Sequence, residues 1–188
     1  EEQPLFILSD NEQYFAAVKK DKWQVYNTGD GSQVMQAVIK GATISSASFS
    51  NDGRQFCIIT LAANGSGHAT IVDLQAKKMI KKFPCAAKGQ LQAAWAPGDS
   101  LLVFSDDELN TTEIRSAKNF QLKKKLPGIF RGESNKETGR LITTTADKRL
   151  SYCWNIETLT LQQKADGVLH ISADGKKGVT NAGLIINL

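Results

Sequence analysis

Few side chains in this 188-residue chain could carry acid–base, nucleophilic or metal chemistry. Two histidines are the only imidazole bases: His68 in the "AANGSGHA" loop and His170 in "VLHIS". A hydrolytic site needs a nucleophile, a base within hydrogen-bond reach and a group that orients the base. Neither histidine lies in a nucleophile motif. The alternation of "VLHIS" points His170 away from the direction of Leu169 and Ile171, as expected of a structural histidine on a strand. Cys57, Cys85 and Cys153 lack the close ligand pairs of a zinc site. Cys57, inside "QFCIIT", reads as a small buried apolar residue. Cys85, following Pro84 in a connection, is expected to be the most accessible of the three. "NGSGH" lacks the GK[ST] ending of a phosphate loop and runs into a strand, so it reads as a hairpin. The expectation is no catalytic residue, no metal site and no cofactor.

The elements that hold these residues emerge from a repeat. Turn clusters recur as "SDNEQ" at Ser9, "SNDGR" at Ser50, "APGDS" at Ala96, "KETGR" at Lys136 and "SADGK" at Ser172. Glu12, Gly53, Gly98, Gly139 and Gly175 are taken as equivalent. An apolar run precedes and another follows each cluster. A second anchor closes each third run: Tyr26-Asn27, Val72-Asp73, Ile114-Arg115, Trp154-Asn155 and Ile186-Asn187. Gly41, Gly89, Gly128 and Gly167 then open the next copy. The runs are short, rich in β-branched and aromatic residues, and bounded by Gly, Asn, Asp and Ser, which is the signature of strands. No segment sustains a helical apolar face over three turns. Little or no helix is expected.

Four antiparallel strands per roughly 40 residues, repeated, signal the blades of a β-propeller. The fold class expected is therefore all-β, one propeller domain over 1–188, with blades at about 5–41, 42–88, 89–128, 129–167 and a partial 168–188. From Asp147 to Asn155, "DKRLSYCWN" resembles the WD40 repeat family, with Asp147 in the hairpin before the third strand and Trp154-Asn155 at that strand's end. "DKWQVYN", from Asp21 to Asn27, is a looser match. The family's blades open with Gly-His, and that His joins a buried polar set. Here the four glycines precede Ala42, Gln90, Ile129 and Val168. The blades are thus expected to lack a polar clamp and to rely on apolar packing between sheets.

The resemblance implies partner sites on the hairpins joining second and third strands. These carry Lys19, Lys20 and Lys22, then His68, then Asp106, Asp107 and Glu108, then Lys148 and Arg149. Their mixed charge suits protein docking better than a uniform nucleic-acid surface. Lys77, Lys78, Lys81 and Lys82 flank the fourth run of the second copy, and Lys123, Lys124 and Lys125 occupy that of the third. On an outer edge strand, lysines guard against edge-to-edge pairing. The functional alternative is a basic rim for RNA or an acidic protein.

Net charge is +4 and the sequence pI near 8.9, mildly basic for a nucleic-acid binder. No apolar stretch approaches the roughly 20 residues of a membrane-spanning helix, so no membrane insertion is expected. An odd set of three cysteines favours a reducing, intracellular compartment, cytoplasmic or nuclear; the alternative is a periplasmic or secreted propeller that binds ligands or serves an envelope complex. The fifth copy stops after its third run. Leu188 is therefore not expected to be the natural end of the domain, and the missing blades would come from the rest of the parent chain or from a partner chain. A closed five-blade ring is the alternative. Together these readings describe a non-catalytic scaffold for other protein subunits, or a platform in a ribonucleoprotein assembly.

Overall fold

A computed structural model describes residues 3–85, 91–135 and 137–188; the repeat marks Gly89 and Gln90, and Lys136 of "KETGR", lie outside them. The described residues form antiparallel sheets and contain no helix. The first sheet holds β1 (Leu5–Leu8), β2 (Tyr14–Lys19), β3 (Lys22–Asn27) and β4 (Gln33–Val38). The second holds β5 (Ala42–Phe49), β6 (Gln55–Ala62), β7 (Gly67–Asp73) and β8 (Lys78–Cys85). The third holds β9 (Leu91–Trp95), β10 (Leu101–Asp106), β11 (Thr111–Ser116) and β12 (Leu122–Pro127). The fourth holds β13 (Ile129–Asn135), β14 (Arg140–Thr144), β15 (Leu150–Asn155) and β16 (Leu161–Asp166). The fifth holds β17 (Leu169–Ile171), β18 (Lys177–Thr180) and β19 (Ile185–Asn187). In every sheet the strands neighbour one another in chain order. The chain divides into two compact units, residues 1–95 and 96–188.

The strand rhythm matches the sequence repeat, and the register refines it. In each four-stranded sheet with a complete third-to-fourth ladder, the fourth strand carries one extra residue at the same place. These bulge residues are Val34, Ile80, Lys123 and Gln162, opposite the junctions Val25/Tyr26, Ile71/Val72, Ile114/Arg115 and Cys153/Trp154. A bulge bends its strand and raises the local twist, so each of these fourth strands carries the same local irregularity at the same register. The register makes Arg115-Ser116, not Ile114-Arg115, the third copy's counterpart of Tyr26-Asn27 and Trp154-Asn155. The recurrent Asn or Asp has a local reason. Asn27, Asp73 and Asn155 accept backbone N–H bonds from Gly29, Ala76 and Thr158 in the turn that follows, at 2.7–2.8 Å. Ser116 does the same through Oγ to the N–H of Lys118, which is why the third copy manages without an Asx residue. The turn between first and second strands shows the same one-residue offset. Glu12, Gly53, Asp99 and Gly175 donate N–H to Ser9, Ser50, Ala96 and Ser172, so Asp99 holds the place expected of Gly98.

In residues 1–95 the first two sheets share one core. Ala16, Val18, Trp23 and Val25 pack with Phe49, Phe56, Ile58, Val72 and Leu74, and the Trp23 and Phe56 rings lie 5.8 Å apart. Equivalent turns meet at the rim, where Asn11 Nδ2 donates to the Asp52 carbonyl at 2.6 Å. In residues 96–188, Ile142, Cys153, Ala165 and Leu169 join the fourth and fifth sheets, and Asn135 Nδ2 donates to the Ala173 carbonyl at 3.1 Å.

A polar clamp is present after all, built from hydroxyls. Thr112 and Ser151 occupy matching places on third strands. Each donates from its hydroxyl to the carbonyl of the glycine 16 residues on, Gly128 or Gly167, at 2.7 Å. Each accepts the amide N–H 18 residues on, from Phe130 or Leu169, at 3.1 Å. A hydroxyl has one proton to give. The cross-strand partners Ser105 and Thr144, each 2.9 Å away, therefore donate into Thr112 and Ser151. Gly128 and Gly167 both sit at φ +82°, and a Cβ on Gly128 would lie 3.0 Å from the Thr144 backbone. Only glycine brings the connection this close. The expectation of purely apolar inter-sheet packing is thereby corrected for residues 96–188: short hydroxyls on neighbouring strands reach the connection between sheets.

Removing one acceptor–donor centre leaves a buried amide and carbonyl unpaired. Ser151→Ala should lower unfolding free energy by about 1–3 kcal/mol, read by urea denaturation, whereas Thr158→Ala on the exposed turn should cost well under half of that.

Candidate partner-binding surface

The hairpins between second and third strands are positioned by backbone bonds. In residues 1–95, Lys19 pairs with Lys22 across a two-residue turn, Lys20-Asp21, with Lys20 at φ +43°. The carbonyls of Lys20 and Asp21 accept the N–H groups of Ile44 and Ile39. The hairpin is thus tied to the connection that leads into β5. Lys19, Lys20 and Lys22 are all exposed. Two open clefts meet at this turn. One, of 140 Å³, lies between Lys19, Lys20, Leu5 and the Ile44–Ala47 segment. The other, of 420 Å³, runs past Pro4, Lys19, Asp21, Lys22 and Gln24.

His68 is not in the loop. It lies in β7, half-buried, paired with Thr60 and Pro84 on either side, and its carbonyl accepts the Thr60 hydroxyl at 3.3 Å. The loop is shorter than the sequence suggested because Gly67 and His68 continue the ladder as far as Leu61.

In residues 96–188 two hairpins stand side by side. Asn110, at φ +50°, receives the Ala146 N–H on its Oδ1 at 2.8 Å. That bond fixes the acidic hairpin of Asp107 and Glu108 next to the basic one of Lys148 and Arg149. Asp107 and Glu108 are exposed, as are Lys148 and Arg149. Asp106 departs from expectation. It ends β10 at 3% exposure and its Oδ1 accepts the Leu109 N–H at 2.8 Å, so it shapes the hairpin from inside. Asn110 was not singled out by sequence reasoning. Its one legible signal is an Asn between acidic and Thr residues in a turn, a type that tolerates the left-handed region.

Asp147 lies outside any buried set: its side chain is 58% exposed, and Arg149 Nε sits 3.6 Å from Oδ2. The Thr145 hydroxyl donates to Oδ1 at 2.6 Å and the Arg149 N–H at 3.1 Å. These bonds, the hydroxyl first, hold its carboxyl below the usual carboxylate range. Asp174 is lowered in the same way by Ser172 and the Lys176 N–H. Trp154, the other half of the motif, is buried with its Nε1–H on Thr143 Oγ1 at 2.9 Å, and the Thr143 hydroxyl donates to the Pro127 carbonyl at 2.6 Å.

The lysine rims divide. Lys77, at φ +49° in the turn before β8, and Lys78, Lys81 and Lys82 on β8 are exposed. On β12, Lys123 is the bulge residue, while Lys124 and Lys125 are engaged. Lys124 Nζ donates to the Leu159 carbonyl at 2.6 Å and lies 5.9 Å from the Trp154 ring centre. Lys125 Nζ lies 3.0 Å from Glu113, a buried carboxylate that Arg115 also meets at 2.9 Å. A three-lysine rim is thus not presented as a free cationic row.

All three cysteines are buried. Cys85, expected to be accessible, is only 7% exposed because β8 continues through Pro84 to pair Cys85 with Gly67. Burial pushes the Cys57 and Cys153 thiols above their ordinary range. His170 is exposed between buried Leu169 and half-buried Ile171, as its alternation implied. Among the described residues, no three His, Cys, Asp or Glu side chains gather as metal ligands would, and no helix is long and apolar enough to cross a membrane. No protein-family model matches the chain, and a search of curated proteins finds no relative.

The sign of the Asp147 effect follows from linkage. A carboxylate whose folded pKa is depressed contributes stability above the unfolded value near 3.9, and that contribution disappears as pH falls through the folded value. In an NMR titration Asp147 should titrate below ordinary aspartate. Thr145→Val should raise its midpoint back toward the ordinary range and flatten the acid limb of the stability profile.

Proposed function

We propose that the chain forms blades of a WD40-like β-propeller and serves as a non-catalytic platform for protein–protein contacts within a multi-subunit complex. Three features support the fold part of this reading. The first four sheets have the same four-strand meander and carry the same bulge at the same register, and equivalent turns of neighbouring sheets meet through Asn11–Asp52 and Asn135–Ala173. A blade cannot bury its apolar faces alone, so stacking of like units is what such a repeat needs.

The observation that carries the functional part is the pair of hairpins joined through Asn110 and Ala146. Acidic Asp107 and Glu108 and basic Lys148 and Arg149 are exposed beside one another on hydrogen-bonded turns. Alternating charge on a fixed frame selects partners by complementarity and rejects like-charged ones. A uniform polyanion would meet repulsion from half of this surface.

The test is affinity purification of the tagged chain from its own cells with quantitative mass spectrometry. A stoichiometric protein partner should co-purify with the wild type. It should be lost, or reduced at least tenfold, with Lys148→Glu/Arg149→Glu. It should persist with Lys123→Glu, a charge reversal of the same sign away from these hairpins. Absence of any stoichiometric partner, or equal retention by all three proteins, would overturn the reading.

A further inference from the structure

The chain has two methionines, and both line one cleft in residues 1–95. Met35 on β4 and Met79 on β8 lie on the outermost strands of the first and second sheets, 44 residues apart in sequence. The floor is Trp23 and Val72, at 3% and 1% exposure; the walls are Ala37, Ile39, Thr60 and Thr70. Register explains the convergence. Trp23 pairs with Ala37 and Val25 with Met35, so Met35 and Ala37 share the core-facing side of the first sheet. Val72 pairs with Met79 and Thr70 with Lys82, so Met79 and Lys82 share the side of the second sheet that carries Val72 into the same core. The two sheets touch at Trp23, Phe56 and Val72, and the cleft opens beyond that contact.

The cleft measures 270 Å³, just under the roughly 300–1,000 Å³ of pockets that enclose a drug-sized molecule. It suits one anchoring side chain of a larger partner. Met79 is 58% exposed there. Unbranched, polarizable methionine adapts its shape to varied apolar guests, and exposed methionines recur at such docking surfaces.

Charge names the rest of the guest. Lys82 stands at the lip of the cleft, exposed, with no ion-pair partner among the described residues. The second sheet and its turns, residues 42–85, carry five cations (Arg54, Lys77, Lys78, Lys81 and Lys82) against two carboxylates, Asp52 and Asp73, an excess of three positive charges. The Asp73 carboxylate next to β8 is occupied, its Oδ1 taking the Ala76 N–H at 2.7 Å. An apolar anchor entering between the methionines would bring flanking carboxylates to Lys82 and its neighbours, which is the arrangement of a buried hot spot with a charged rim.

We propose that this cleft binds a short acidic segment of a partner protein, with one leucine- or phenylalanine-sized side chain between Met35 and Met79 and an adjacent carboxylate on Lys82. This site is separate from the hairpins of residues 96–188, so loss of either reading leaves the other standing.

Because Met35 and Met79 are the only methionines, methyl-¹³C-methionine NMR of the whole chain gives two signals, both from the cleft. The probe is a pentapeptide with leucine between two acidic pairs. It should shift both signals saturably, and Lys82→Glu should weaken binding at least tenfold at low salt. A pentapeptide with glycine in place of leucine, and one with leucine between two lysine pairs, should leave both signals in place. The proposal is overturned if neither signal moves at millimolar peptide, if the glycine or lysine peptide moves them equally, or if Lys82→Glu binds as the wild type does. It is likewise overturned if decanoate shifts the signals while the acidic peptide does not, which would make the cleft a site for small amphipathic carboxylates.

Discussion

A four-stranded antiparallel meander pairs its own ladders but leaves two things unsettled: an apolar face, and the polar backbone of the segment that leaves for the next sheet. In residues 96–188 one hydroxyl answers the second need. Thr112 and Ser151 each hold a glycine carbonyl and the amide of the following strand, and they are fed by Ser105 and Thr144. A buried amide or carbonyl without a partner costs more than a made bond returns. The next strand therefore starts where the hydroxyl places it. The clamped residues Phe130 and Leu169 are then delivered into the core at 5% and 0% exposure. Fixing where a sheet begins also fixes where its hairpins end, and those ends carry the charges proposed to meet a partner.

The same logic separates positions that hold the frame from positions that face outward. Asp106 and Asp107 are neighbours of identical type, yet one is buried as a turn support and the other exposed. Trp154 spends its N–H on Thr143, while Asp147, its companion in the motif, closes its own turn. In residues 1–95, by contrast, the pair at the place of Thr144 and Ser151, Val18 with Trp23, is apolar, and neighbouring sheets meet through the Trp23–Phe56 cluster. Where that contact stops, the outer strands leave a methionine-lined cleft. Residues 96–188 thus add hydroxyl clamps to the apolar packing between sheets that both halves of the chain use.

Strand order and nearly every turn were legible in the sequence, because alternation of apolar residues and Gly, Asn, Asp and Ser punctuation report period and turn directly. The third copy slipped by one residue. Ala96 lacks the hydroxyl that marks Ser9, Ser50 and Ser172, and Ser116 replaces the Asn or Asp that marks the other third strands, so its landmarks are chemically faint. Hydroxyl clamps were illegible for a different reason. Ser and Thr are common on strands, and only the register shows that Thr112 and Ser151 share spacings of 16 and 18 residues to their targets. The candidate surface was half legible. Charges on hairpins could be read off, but Asp106, His68 and Cys85 were placed by ladders that run one or two residues beyond where composition changes.

Hydrogen exchange at the Phe130 and Leu169 amides tests the central claim most directly. If the Phe130 proton is held by the Ser105 and Thr112 hydroxyl oxygens, and the Leu169 proton by that of Ser151, within closed sheet junctions, both should exchange as slowly as interior strand amides such as that of Ile142. Exchange at the rate of an open turn such as the one at Asp107, with the strands around them still protected, would contradict the account.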